Sequence, residues 1–430
     1  MAGNPNTAQG PDLRIEVEGS PGQGFRLSFY EGLTGTRASV GCEYSPGLLE
    51  DHRRSLFNQL EELKGLVHEL KWTDLPPSLS TRKAMFKRIA ALHETGAAAM
   101  QDLVGRTDMG LKRVLERLRH CGPVLVEVVA VPEYFPPLEF LPLAQPCELP
   151  RSNQRRNLDE AMRSFLGYAS KVRRVPKQPS SPMNPELANK PKLRLKLFHY
   201  AGLEGAGNEA KFFMDYREFI RIDGGCAWPH DGVRRPWMKQ FAQHLRDPSR
   251  SFSGIRQRVP DQIVHFACHC NTSDDGWEDH CLELSCGGKG GAVKISIKEL
   301  QAQFTDIDYR RMPRYTGDMP LVFLNACEGS KLGPNGSHSF PQLFLNKNGN
   351  RGFIGAESKI PDDVAAAFSK QFYFHLLAGK SVVDALWQAK HDLWERWYNP
   401  LGLVYTLYAY PHLRVSHPVP ISELKRKARL

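Results

Sequence analysis

An unbroken apolar run, Leu321-Val322-Phe323-Leu324, stops at Asn325 and gives way to Ala326, Cys327, Glu328 and Gly329. A run without a polar residue, bounded by turn residues, reads as a strand buried on both faces. Such a strand belongs in a mainly parallel sheet with helices on either side. It also fixes where chemistry is done, because open α/β sheets present functional groups just past the carboxyl ends of their strands. Cys327 stands at such an end.

A second run has the same design. Ile263 to Ala267 ends in Cys268, His269 and Cys270 before the polar stretch Asn271 to Gly276. Placed side by side in a parallel sheet, the two strands bring His269 and Cys327 to one edge. A free cysteine is only a few per cent thiolate at neutral pH, so an imidazole at that edge supplies the base a thiol nucleophile requires. The same neighbourhood holds nitrogen and sulfur donors for a zinc ion in Cys268, His269, Cys270, His280, Cys281 and Cys286. The Cys-x-x-Cys spacing of structural zinc sites is missing, and neither metal nor cofactor is expected. His265 reads as a core histidine, and Asn325 and Glu328 as residues that position the turn.

The chain has 430 residues, enough for two or three domains, with 41% apolar and 24% charged residues as in ordinary globular proteins. Its net charge of +10 is spread along the sequence rather than gathered in a patch, so nucleic acid is not an expected partner. Nine cysteines, an odd and unevenly spaced set, argue for reduced thiols over a disulfide framework. Cys42, Cys121, Cys147 and Cys226 read as small buried hydrophobes. With no signal-like segment and no apolar run of membrane-spanning length, a cytoplasmic protein with no membrane partner is expected.

Read in order, residues 1–11 are a polar, disordered leader. Residues 12–174 form an α+β half: a hairpin of Leu13–Val17 and Phe25–Phe29, amphipathic helices from Ser45 and over Lys83–Leu118 with Gly96 and Gly105 as breaks, and a strand at Val124–Val131. Residues 175–192 hold five prolines and read as a linker, with Lys171-Val172-Arg173-Arg174 beside it open to proteases and to self-cleavage. Residues 193–416 show the rhythm of strands alternating with helices, including a glycine turn at Gly202–Gly207 with Asn208 as the following helix cap. Residues 417–430 are a basic tail.

The pairing of His265-Phe266-Ala267-Cys268-His269 with Leu324-Asn325-Ala326-Cys327-Glu328-Gly329 resembles the CHAT family of caspase-like, clan CD cysteine peptidases, in which the dyad histidine precedes the cysteine and each ends a strand. The resemblance extends to Pro137-Leu138-Glu139-Phe140-Leu141, where the family carries a Pro-Trp-Glu-Leu-Leu type sequence, and to Gly352 through Phe372. It implies a caspase-like three-layer α/β/α sandwich, preceded by a half resembling a degenerate protease. It implies a cysteine endopeptidase with His269 and Cys327 as the catalytic dyad and the backbone NH groups of Cys270 and Cys327 as the oxyanion hole. Cys270 stands where the family has glycine, and a catalytically idle scaffold or binding module is the alternative reading. Asp362 and Asp363 resemble the acidic position that selects a basic substrate residue, although either also fits as a helix cap. Asp274, Asp275 and Glu357 are weaker candidates for that position. The family's setting implies a bacterial defence or programmed-death system, a protein substrate such as a gasdermin-like pore former, and an upstream sensor or activator protein as partner.

Overall fold

The computed structural model describes residues 11–428 apart from 20–24, 33–34, 36, 43–45, 70–77, 105–113, 115–116, 119–122, 131–135, 144–154, 177–183, 225–235, 272–279, 287–290, 307–316, 332–338 and 410–411. The leader up to Gly10, and Asp274 and Asp275, lie outside the described residues. The chain divides into two compact units, residues 1–66 with 75–178 and residues 67–74 with 179–430.

In the first unit β1 (Leu13–Gly19) pairs antiparallel with β2 (Phe25–Glu31), and β2 with β3 (Arg37–Cys42). Leu13, Ile15 and Val17 are buried while Arg14 and Glu18 are not, the alternation of a sheet with one face on a core. On its other side β1 pairs parallel with β4 (Leu125–Ala130), and β4 parallel with β5 (Lys171–Pro176). Helices α1 (Pro46–Glu69) and α2 (Leu79–Val104) bury Leu56, Leu60 and Leu63, and Met85, Ile89 and Leu92, at the three- and four-residue spacing of an amphipathic stripe. His52 and Asp102, 2.9 Å apart, link the two helices, as do Arg88 and Glu62. Gly96 does not break α2. A side chain there would lie 2.5 Å from the Phe140 carbonyl oxygen, so glycine is what lets the helix approach the 3-10 turn Leu138–Phe140. Helix α3 (Arg155–Arg163) and a single helical turn at Leu166–Ala169 lead into β5.

The expectation of an open, protease-accessible segment at Lys171–Arg174 is overturned. Arg173 and Arg174 are 5% and 1% exposed inside β5. The Arg174 guanidinium donates to Glu139 through Nε (3.0 Å) and Nη2 (2.6 Å), and Arg173 pairs with Glu127 of β4. Buried arginine charge is tolerated where a carboxylate meets it in this two-pronged way. Glu139 of the Pro137–Leu141 motif is thus an anchor for a strand 35 residues away. The stretch expected as a linker gives Val175 and Pro176 to β5.

The second unit contains, in chain order, β6 (Glu186–Leu187), β7 (Leu193–His199), β8 (Ile220–Gly224), β9 (Ile263–Ala267), β10 (His269–Asn271), β11 (Cys281–Cys286), β12 (Gly291–Ser296), β13 (Leu321–Asn325), β14 (Gly352–Ala356), β15 (Tyr405–Ala409) and β16 (Arg414–Val415). Its main sheet runs β15-β14-β13-β9-β7-β8, all parallel except β15. The helices are α4 (Glu204–Asp215), α5 (Pro236–Arg246), α6 (Ile297–Asp306), α7 (Asp362–Leu377), α8 (Val382–Trp397) and α9 (Ile421–Ala428). Every residue of β9, β13 and β14 is buried, as expected of strands covered on both faces, His265 and Asn325 being the buried polar members. On one face Phe323 and His265 meet Phe372 of α7 and Phe213 of α4; on the other Phe198 and Phe266 meet Phe241 of α5. The result is a three-layer α/β/α sandwich with a mainly parallel sheet.

Two local expectations fail here. The glycine stretch Gly202–Gly207 is not all turn: α4 begins at Glu204, and Asn208 lies inside it rather than capping it. A side chain on Gly205 would lie 2.2 Å from the Asp362 carbonyl oxygen, so that glycine serves the close approach of α4 to α7. The basic tail, for its part, holds helix α9.

Candidate active site

In the parallel register of β9 and β13, Ala267 stands opposite Asn325. His269 and Cys327 each lie two residues further on. Both residues therefore follow the carboxyl ends of two neighbouring parallel strands, the edge at which open α/β sheets carry functional groups. The sequence folds this way because each apolar run ends at once in residues that abandon the sheet. Past Cys268 the chain forms β10, which pairs antiparallel with β11, His269 opposite Glu283, while β11 pairs with β12. Past Asn325 the chain turns sharply. Glu328 takes φ 53°, in the left-handed region, a conformation that non-glycine residues adopt at a cost and mostly at functional turns. The turn is held by Glu328 NH to Ser358 O (3.2 Å) and Ser330 NH to Ala356 O (2.8 Å), and Glu328 pairs with Lys331 at 3.1 Å. Gly329 and Gly355 leave room for it, since added side chains would press on Leu324 and on Ser330 Oγ.

Cys327 is half-buried, and its Sγ lies 3.4 Å from the Ile360 carbonyl oxygen, to which the thiol donates. His269 is half-buried with its ring centroid 5.1 Å from that of Tyr200, the residue following β7. Cys268 and Cys270 are buried, and burial, reinforced by neighbouring thiols including Cys327 and by nearby carboxylates, pushes both thiols up. They stay protonated at neutral pH, which leaves Cys327 as the accessible sulfur of this edge among the described residues.

Beneath the edge lies a polar network that the sequence did not announce. The Asn325 amide donates to Glu209 Oε1 (2.8 Å) and to the Ala365 carbonyl (3.0 Å), and its Oδ1 accepts from Tyr405 OH at 2.5 Å. Glu209, 2% exposed on α4, also stands 2.8 Å from His265 Nε2, and His265 Nδ1 is 3.0 Å from Tyr373 OH. His265 is therefore a core residue and Asn325 the tie between β13, α4, α7 and β15. His199, level with Ala267 at the end of β7, has a buried Nδ1 without a hydrogen-bond partner among the described residues. Burial lowers its pKa against the pull of Glu209, so it is neutral near pH 7. The only sequence sign of Glu209 is an acid on the inner face of an otherwise apolar helix stripe.

Asp362 opens α7, and its Oδ2 accepts the Gly205 NH at 3.0 Å; Oδ1 makes no hydrogen bond among the described residues. Asp363 is exposed and accepts the Val364 NH at 2.8 Å. Both carboxylates stabilise the start of their helix. Glu357 is buried, 4% exposed.

A mainly parallel α/β/α sandwich with a histidine and a cysteine just past the ends of two neighbouring strands is of the caspase-like cysteine-peptidase type. The chain belongs to the CHAT family, whose domain model matches residues 143–400. Over 98 residues it is 31% identical to a probable protease from Vitiosangium sp. (strain GDMCC 1.1324), a stretch covering 23% of this chain and 13% of that protein. Two crystal structures of the Saccharomyces cerevisiae separase–securin complex, at 2.6 and 3.0 Å, align with 93% of this chain and 30% of theirs at 10% identity, with TM-scores of 0.42 and 0.46. The chain thus spans well under two thirds of the length of these relatives.

Proposed function

We propose that this chain is a cysteine endopeptidase in which His269 activates Cys327. The observation that carries the reading is the equal two-residue offset of both side chains from the register pair Ala267 and Asn325 on adjacent parallel strands. In the reaction, His269 takes the Cys327 proton, the thiolate attacks a peptide carbonyl, and the NH groups of Cys327 and Cys270 hold the tetrahedral oxyanion. The same imidazole returns the proton to the leaving amine. Water then hydrolyses the thioester, releasing the acid and restoring the thiol. The cysteine side chain at position 270 does not remove the NH that this role uses.

The preference we assign is for a basic residue on the acyl side of the cut bond. Asp362 keeps one carboxylate oxygen unengaged, and Asp363 is exposed beside it; a carboxylate in that position favours a guanidinium through a charge-assisted pair. The CHAT assignment extends the proposal to a bacterial defence or programmed-death role, with a gasdermin-like pore former as the substrate class and a sensor protein as activator.

The test is covalent labelling with an acyloxymethyl ketone peptide ending in arginine. Labelling should map to Cys327 and vanish in Cys327→Ala and in His269→Ala, and it should weaken about tenfold or more in Asp362→Asn if a desolvated ion pair is lost. Labelling that survives His269→Ala removes the dyad from the proposal. A folded, properly exposed Cys327 that never reacts favours the idle-scaffold reading instead.

A further inference from the structure

Strand β8 is the last strand of the second unit's sheet: among the described residues it pairs with β7 on one side and with no strand on the other. Beside it lies a groove of about 670 Å³ lined by Lys192, Arg194, Arg217, Arg221 and Arg258 together with apolar residues, and by no carboxylate. Arg194 is buried and faces Asp261 at 3.5 Å. Lys192, Arg217, Arg221 and Arg258 form no ion pair with a carboxylate among the described residues, although Lys192 Nζ donates to the Arg217 carbonyl at 2.6 Å. Three large hydrophobic side chains among the described residues are at least half exposed, and two of them, Met214 (54%) and Ile255 (68%), line this groove.

We infer that this groove is a docking site for an extended acidic segment of a partner protein, one in which carboxylates alternate with apolar side chains and which adds to β8 as a further strand. An open strand edge offers backbone NH and C=O groups in register for such addition, and alternate side chains of the added strand supply specificity. Here the apolar side chains of the added strand would meet Met214 and Ile255, which line the groove from different elements, and its carboxylates the four cations. Glu218 lies beside Arg217 and Asp223 on β8 is engaged by Phe252 and Gln257, but no carboxylate lines the groove itself, so an occupant that brings carboxylates complements it. The site stands apart from the catalytic edge: Arg194 and His199 are five residues apart along β7, about 17 Å at the rise of a strand. Docking there is therefore independent of the dyad, and it would hold a partner while a separate segment enters the catalytic edge.

The test uses the full chain carrying Cys327→Ala, so hydrolysis plays no part and a failed protease reading leaves the result intact. A fluorescein-labelled decapeptide alternating glutamate with valine is titrated by anisotropy at 50 and 300 mM salt. Saturable binding that weakens with salt is expected, with affinity reduced about tenfold or more in the combined Arg217→Glu, Arg221→Glu and Arg258→Glu variant. Ile255→Asp, on a side chain too exposed to support the core, should weaken it as well. In the Cys327 form, the triple variant should keep the wild-type thermal midpoint and probe labelling. The inference is overturned if the acidic peptide does not bind, if a lysine–valine peptide binds equally, or if the triple variant binds as wild type does. Equal binding of an alternately N-methylated peptide removes strand addition, and tighter binding of a single-stranded oligonucleotide assigns the groove to nucleic acid.

Discussion

Asn325 bears on both stability and chemistry, because its three hydrogen bonds fix the strand end from which Cys327 departs. Asn325→Ala leaves the Glu209 carboxylate and the Tyr405 hydroxyl buried without their partner, and loss of about 2 to 4 kcal/mol is expected, since buried groups abandoned by a partner bear most of their desolvation cost. Urea denaturation measures it. Asn325→Asp makes the sharper test. A second carboxylate then faces Glu209 in the interior, and the pair must take up a proton in the folded state. Its folded pKa is raised above the unfolded value, so the stabilising protonation is present at low pH and lost as pH rises. The deficit of Asn325→Asp against wild type should therefore be larger at pH 8 than at pH 5; a deficit independent of pH would show that Glu209 does not face it.

At the scale of elements, the approach of α4 to α7 rests on Gly205 having no side chain, with the Asp362 carbonyl 2.2 Å from where a Cβ would stand. Gly205→Ala forces the helix starts apart, and overpacking of this kind costs about 1 to 3 kcal/mol. It also displaces Asp362, whose Oδ2 accepts the Gly205 NH. The expected outcome is a lower thermal midpoint together with labelling by the arginine probe reduced more than labelling by a small unselective thiol reagent. Strands such as β9 and β13 were legible because burial on both faces leaves runs that are almost wholly apolar, His265 being the one polar residue before the end of either. Strands β5 and β8 were not, because Arg173, Arg174 and Arg221 break their patterns, and the carboxylates that make the first two tolerable lie far away in sequence. Gly205 was misread as turn for a related reason: glycine signals a free backbone or a crowded one, and the sequence does not say which. The His269 and Cys327 strand ends could be read in advance, but Glu209 and Tyr405 become neighbours of Asn325 only once the sheet is assembled.

For the whole molecule, the strongest acid sensitivity is expected away from the edge that carries His269 and Cys327, behind β7. His244 of α5 is 5% exposed, and its pKa is held down to about 3, first by burial and then by Lys196, while the Arg250 carbonyl and Asp247 pull the other way. Lys196 is itself fully buried, 3.1 Å from the fully buried Asp261. In the unfolded chain a histidine binds its proton near pH 6.5, so below that value the unfolded state gains protons that the folded state refuses. Stability contributed by neutral His244 is complete above pH 6.5 and declines as pH falls toward 3, by about 5 kcal/mol at most. His199, also held low by burial, adds to the same slope. Asp261 acts in the opposite sense, since burial raises its pKa and its protonation favours the folded state under acid conditions. That gain sets in as pH falls through the raised Asp261 value, and because Asp261 is common to both chains, comparison with His244→Gln isolates the histidine contribution. The thermal midpoint should therefore fall between pH 7.5 and pH 5, and His244→Gln, which cannot take up the proton, should flatten that fall while lowering the midpoint at pH 7.5. An unchanged slope in His244→Gln would assign the acid sensitivity to other groups.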